Sequence, residues 1–316
     1  EQLYVEARLA AAAQQPEVAL ERFADLLKVE DSSVLCRRAL DVAIVGGDPK
    51  AAATLARGID APPSPPGDPM LALTRMALAA HAGDWKAVAA ARAGFVEPKG
   101  GSGTLVVGRI LSAWTAAGNR RWDDALALLD PGDSTGSARS YLGEHRAHML
   151  AMAKRWPEAA VAYADIVAAE GSNVPRLRLA AAASALEAGR HDPKWRERGI
   201  ALLAGGPADD PLLAPAREKV AANPNVAGRT LGGLLRSPAE GVGELLLRVA
   251  VDLGRERVFA PSLVFARLAA FAAPDLPEAW IATADLLARD GRRPLALGAI
   301  DRLETFGPAY ARIAAA

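Results

Sequence analysis

The sequence predicts an all-α chain, a solenoid of helix hairpins, and three observations carry that prediction. Half the residues are hydrophobic, 51%, yet aromatics make up only 5%, and alanine supplies much of the apolar content. Alanine and leucine carry the least helix cost, and β-branched residues are scarce. Four of the six tryptophans stand just ahead of an alanine-rich run: Trp85 in "DWKAVAAARA", Trp122 in "RWDDALALLD", Trp156 in "RWPEAAVAYADI" and Trp195 in "KWRERGIALLA". A compact residue recurs in step with them, at Ala19, Ala51, Val88, Ala125, Ala159 and Ala296, and the first five are 32 to 37 residues apart. Self-similarity at that period is the mark of a solenoid, in which each unit needs its neighbours to bury its apolar face.

Each unit reads as helix, short turn, helix. The turns are "AIVGGD", "AAHAGD", "TAAGNR", "LEAGRH" and "LARDGR", whose glycine, aspartate and asparagine suit a helix stop followed by a restart. In chain order the units fall at 1–30, 33–58, 69–95, 104–130, 137–168 and 174–204, and a lone helix follows at 210–223. The stretch 224–237 within "PNVAGRTLGGLLRSP" is the weakest helix former and is expected to separate an N-terminal array, 1–223, from a C-terminal block, 238–316. That block holds units at 238–274 and 277–307 and the start of a third. Proline-rich 60–69 and glycine-rich 97–104 are expected as loops between units. The aromatic opening each second helix covers the end of the pair, and the compact residue three positions on lets the two helices approach closely. Added bulk there would overpack the contact at roughly 1–3 kcal/mol.

These residues resemble the tetratricopeptide repeat family, which implies a right-handed superhelical α-solenoid. The fullest copy, 277–308, has Trp280 at repeat position 4, Ala284 at 8, Leu287 at 11, Gly291 at 15, Ala296 at 20, Leu303 at 27 and Pro308 at 32. The preceding copy ends on Pro274, with Ala266 and Ala269 at positions 24 and 27. A second, narrower resemblance joins "EDSSVLCRRALDVAIVGGDPKAAATLAR" and "SPAEGVGELLLRVAVDLGRERVFAPSLVFARLAAFAAPDLPEAW" to proteobacterial tetratricopeptide proteins of the periplasm. Some of these are outer-membrane lipoproteins that act as adaptors for processing proteases. It implies a periplasmic, outer-membrane-anchored adaptor, with a cytoplasmic setting as the alternative. The chain starts in helical pattern at Glu1 and stops in "PAYARIAAA", so it is read as a trimmed piece, with any leader or lipid anchor outside it.

Bulk composition narrows the partners. Lysine plus arginine and aspartate plus glutamate number 37 each, which gives no net charge to attract nucleic acid or an anionic membrane. The single cysteine, Cys36, excludes an internal disulfide framework and a cysteine-based zinc site. Glu144, His145 and His148 in "LGEHRAHML" form the histidine cluster. Glu144 and His148 share a helix face, but the zinc-protease order His-Glu-x-x-His is absent, so they are read as a polar groove wall and no metal is expected. "PKGGSGTL" lacks the Gly-Lys-Ser/Thr of a phosphate loop, and "GRTLGGLL" lacks the strand-turn-helix setting of a dinucleotide site. Ser112 and Ser184 lie in alanine-rich helices with no base to activate them. Neither catalytic residues nor cofactors are expected, and the chain is read as no enzyme.

In tetratricopeptide arrays the first helix of each unit lines the concave face. Carried over by register, this implies Tyr4 and Arg8 in the first unit, Val107, Ile110 and Trp114 in the fourth, and Tyr141, Glu144, His148 and Ala151 in the fifth. The sixth contributes Arg176, Leu179 and Ala183, and the last Glu278, Ile281 and Asp285. Such a mixed groove differs from the basic clamp that grips acidic peptide ends. It fits an extended or helical segment of another protein, held by apolar anchors. The expected function is a scaffold or adaptor whose partner is a protease or an envelope assembly factor. The rival expectation is a recruiting arm of a larger enzyme, and a third is self-assembly through the end helices.

Overall fold

A computed structural model describes residues 2–59, 68–95, 102–169 and 175–315, and among them it contains helices and turns but no strand. The hairpins form in the expected order. Gln2–Ala12 (α1) pairs with Pro16–Leu27 (α2), Ser33–Gly46 (α3) with Pro49–Gly58 (α4), and Pro69–His81 (α5) with Trp85–Ala93 (α6). Ser102–Gly118 (α7) pairs with Trp122–Leu128 (α8), Gly136–Met152 (α9) with Trp156–Ala169 (α10), and Pro175–Ala188 (α11) with Pro193–Ala204 (α12). Then come the lone helix Leu213–Ala222 (α13), a 3-10 turn at Gly228–Thr230, and Pro238–Arg255 (α14) with Phe259–Ala272 (α15). Pro277–Arg289 (α16), Arg293–Glu304 (α17) and Pro308–Ala315 (α18) complete the series. Most of the two expected loops, 60–69 and 97–104, lies outside the described residues, as does the first half of the "PKGGSGTL" stretch. Pro69 and Ser102 already open helices.

Local chemistry explains the starts. Asp48, Asp68 and Asp192 each accept a hydrogen bond from backbone N–H groups of the following turn, and each is followed by proline at the first helical position. A side-chain cap is worth about 1 kcal/mol, and proline there loses nothing because its missing N–H would have no helical partner. The turns within hairpins, apart from that between α11 and α12, contain one left-handed residue. Glycine fills it at Gly47, Gly83 and Gly291, but Gln14, Arg120, Lys154 and Arg257 take the same conformation with φ near 61°. At "TAAGNR" the glycine therefore ends the helix, and Arg120, two residues on, makes the turn.

The compact residues do as the repeat requires. Ala19, Val88, Ala125, Ala159 and Ala296 are between 0% and 4% exposed, so they are helix–helix contacts. In the second hairpin the fully enclosed residue is Ala52, one beyond the expected Ala51. In the sixth it is Gly199, where a methyl group would stand 2.9 Å from Leu186 Cγ. Trp85, Trp122, Trp156 and Trp195 are half-buried at the starts of their helices.

Arginines tie neighbouring helices together through the main chain. Arg75 of α5 donates to Ala56 O and Ile59 O at the end of α4, at 2.7 and 2.6 Å. Arg146 of α9 donates to Leu126 O of α8 at 2.9 Å, and Arg178 of α11 to Leu202 O of α12 at 3.2 Å. Arg217 of α13 reaches Leu203 O at 2.6 Å, Gly205 O at 2.9 Å and Pro207 O at 2.7 Å. The last carbonyls of a helix have no internal partner and carry its negative pole, so a guanidinium fork satisfies them twice over.

The chain divides into two compact units, and neither is continuous in sequence: residues 1–97 with 242–303, and residues 98–241 with 304–316. The turn at Gly228–Thr230 packs on α11, and Gly228 lies so close that a side-chain methyl would overlap Ala183 O. In the first unit, α15 lies across α3 and α5, the first helices of the second and third hairpins. Arg267 of α15 is 4% exposed and donates Nε–H to Val45 O at 3.2 Å, capping α3. Burial alone brings its pKa down to about 10, so the side chain stays charged at neutral pH. In the second unit, α11 is buried from Leu177 through Ala188. Leu179, Leu186, Leu203, Leu213, Val220 and Leu231 form the core around it.

Candidate functional site

The inner face stays open in the first unit between α1 and α3. Tyr4, Arg8 and Ala11 follow one another at helical spacing along α1, and Arg38, Val42 and Val45 do the same along α3. Ala7, Phe23 and Ala39 fuse the two helices to α2 beneath this face. The Tyr4 ring meets Phe23 edge-on at 6.4 Å and has two guanidiniums near its centroid, Arg8 at 6.0 Å and Arg38 at 5.8 Å. Arg8 also donates to the Tyr4 hydroxyl at 3.2 Å. Both arginines are exposed, and among the described residues neither is in an ion pair with a carboxylate.

Toward the α1–α2 turn this face deepens into a cavity of about 210 Å³. Ala11, Val42, Val45 and Leu295 give it an apolar lining, with Gln14, Asp41 and Arg292 at its polar edge. The α16–α17 turn closes it, with Gln14 Nε2 donating to Gly291 O at 3.4 Å. Burial raises the Asp41 carboxyl above the usual range, opposed by Arg37, whose Nε lies 3.4 Å away, and by Arg38. Arg292 is paired with Asp290 at 2.5 Å.

The fourth and fifth hairpins bury most of the residues that were expected to line the groove there. Ile110 and Trp114 are 0% exposed, His148 1% and Glu144 4%, so none of the four is open to solvent. The correction has a physical cause. Trp114 Nε1 donates to His145 Nδ1 at 3.1 Å, and His148 Nδ1 lies 2.7 Å from the Tyr163 hydroxyl. The rings continue one another, Trp114 to His145 at 6.0 Å, His145 to His148 at 6.2 Å and His148 to Tyr163 at 5.3 Å. Glu144 Oε1 stands 3.8 Å from His148 Nε2. Because an indole N–H only donates, His145 Nδ1 must be the acceptor and its proton sits on Nε2. Nε2 is buried and has no hydrogen-bond partner among the described residues. Burial, then His148, then Arg176 hold the His145 pKa well below its ordinary value. The cluster is thus a polar core rather than a groove wall.

The remaining expected residues scatter. Tyr141 and Arg176 are half-buried in the second unit. Glu278 is half-buried in the first turn of α16, and Asp285 is exposed and paired with Arg289 at 2.8 Å. Only Tyr4 and Arg8 are brought to the open face. Arg38, Val42 and Val45 were missed there, although the helical register that selects Tyr4 and Arg8 repeats in α3. Nothing local to the α16–α17 turn signals that Arg292 and Leu295 meet α1 and α3.

No family model matches the chain, and no curated protein matches it. Among solved structures it is similar to a chain of Naa15/Naa10 bound to HypK-THB, at 17% identity over 97% of this chain and 53% of that one, TM-score 0.40. A chain of the APC/C hetero-tetramer Cut9–Hcn1 matches at 13% over 95% and 65%, TM-score 0.31. The TPR domain of P58(IPK) matches at 12% over 99% and 85%, TM-score 0.26. The chain spans about half the length of the Naa15/Naa10 match and about two thirds of the Cut9–Hcn1 match.

Proposed function

We propose that this helical-hairpin protein is a non-catalytic scaffold that holds a segment of a partner protein on the α1–α3 face of its first unit. The observation that carries the reading is the open face itself: an aromatic ring beside two exposed guanidiniums, running into an apolar cavity. Interfaces are anchored by such combinations of aromatic, arginine and apolar pocket. Two of the four histidines, His145 and His148, are buried, away from any solvent-borne substrate.

The test is site-specific photo-crosslinking at Tyr4 and Val42 in cells that produce the protein, paired with capture by Tyr4→Ala/Arg8→Glu. A partner that crosslinks at these positions and is lost in the double variant supports the reading. A partner captured equally well by the double variant moves the binding surface elsewhere. The envelope setting, with a protease or assembly factor as partner, belongs to the same proposal and rests on the order of the two sequence stretches quoted above. Cell fractionation tests it, and recovery with cytoplasmic markers alone would remove it.

A further inference from the structure

The open face carries more chemistry than a generic groove, and the inference drawn from it rests on the reading above. We infer that the face selects an extended segment carrying a leucine- or phenylalanine-sized side chain for the cavity and, two or three residues away, an acidic side chain for Arg8 and Arg38.

The cavity sets the first half of this specificity. Its volume is about 210 Å³ and its lining is mainly Ala11, Val42, Val45 and Leu295. An apolar cavity of about 150 Å³ already admits benzene, so an aliphatic or phenyl side chain fits and displaces water from apolar walls. Asp41 and Arg292 are engaged with Arg37 and Asp290, so the polar edge is internally matched and supplies no strong demand of its own.

Charge sets the second half. Arg8 and Arg38 converge on the Tyr4 ring from α1 and α3, with no carboxylate paired to either among the described residues. A guanidinium with no carboxylate paired to it is best satisfied by one, which its fork can grip with two N–H groups. The Tyr4 ring holds both forks in place.

Helix geometry sets the spacing. From Arg8 to the cavity residues Ala11 and Gln14 is three to six positions of α1, roughly 5–9 Å at about 1.5 Å per residue. An extended ligand advances about 3.3 Å per residue, so two or three ligand residues cover the distance.

The experiment uses the full chain and fluorescein-labelled octapeptides in a Gly-Ser background, acetylated and amidated to remove terminal charge. Each carries one Leu, with Glu placed one to four positions to either side, and binding is read by fluorescence polarisation. The expected result is tightest binding at a spacing of two or three. Glu→Lys should weaken it by about fivefold or more, and Leu→Ala by about tenfold. Arg8→Glu and Arg38→Glu, both at exposed positions, should erase the Glu-over-Lys preference, while Val42→Trp, which fills the cavity, should erase the Leu-over-Ala preference. Equal binding of the Glu and Lys peptides, a charge order unchanged in both arginine variants, or no binding of any peptide up to millimolar concentration overturns the inference. Crosslinking separates the two failures: a partner found at Tyr4 with flat peptide preferences leaves the scaffold reading standing and sinks only the specificity.

Discussion

The two units solve the same packing problem with different parts. The second surrounds α11 with α10, α12, α13 and the 3-10 turn, all within a few tens of residues, and adds a buried column of Trp114, His145, His148 and Tyr163. The first surrounds α15 with helices from the other end of the chain, as the Arg267–Val45 contact across 222 residues shows. It keeps one face open, between α1 and α3. A helix wrapped in its sequence neighbours draws its packing from nearby chain, whereas α15 draws it from α3 and α5, more than two hundred and about one hundred and ninety residues away respectively.

The largest effect expected of a single change is in the enclosed column. Trp114→Ala removes a side chain with no exposure and leaves His145 Nδ1 without its donor, and a loss of about 3–5 kcal/mol in denaturant unfolding is expected. A loss under 1 kcal/mol would mean that the second unit is not built around it. Next comes α15 of the first unit. Ala266→Leu in α15 inserts bulk at a fully buried contact and is expected to cost about 1–3 kcal/mol. Hydrogen exchange should then rise in α3 and α5, with α11 unchanged if the units respond separately.

A third comparison uses pH. His145 is neutral in the fold because its pKa lies well below the ordinary histidine value of about 6.5. The unfolded chain takes up that proton first, so stability falls as pH drops below about 6.5 and levels off once pH is below the folded value. The slope attributable to this one group is at most about 1.4 kcal/mol per pH unit. His145→Gln keeps an acceptor for Trp114, and its unfolding midpoint should fall less between pH 6.5 and 5. An identical decline in the variant would assign the acid sensitivity to other groups. The smallest effect is at the turns. Lys154 adopts the left-handed conformation that Gly83 and Gly291 fill elsewhere, so Lys154→Gly should raise stability by up to about 1 kcal/mol. The same exchange outside a turn would lower it.

The hairpins were legible because their signals are local. A proline after an aspartate, a tryptophan at a helix start and an alanine three residues later all act within one or two turns of chain. The inner-face assignment rested on the same register and failed where tertiary structure intervenes. The register cannot say whether a first helix faces solvent or the interior, so Trp114 and His148 were read as a groove wall although their rings stack inside a core. Tyr4 and Arg8 remained half-buried or exposed because the face of α1 that they occupy is only partly covered. The arginine ties were illegible for a different reason: Arg75, Arg146 and Arg217 grip main-chain oxygens, which leave no mark on the residue types they contact.

That last feature bears on how such a chain can vary. A guanidinium bound to carbonyls is indifferent to the side chains of the segment it secures, so in the loop held by Arg217 the exposed Ala208 can be exchanged while the backbone path is kept, whereas Leu203 is tied to the core and Gly206 to its φ of 85°. A lysine in place of Arg217 offers one ammonium where the fork now reaches several oxygens, and the loop would come loose. Diversity in the connections is thus licensed by constancy in a few arginines.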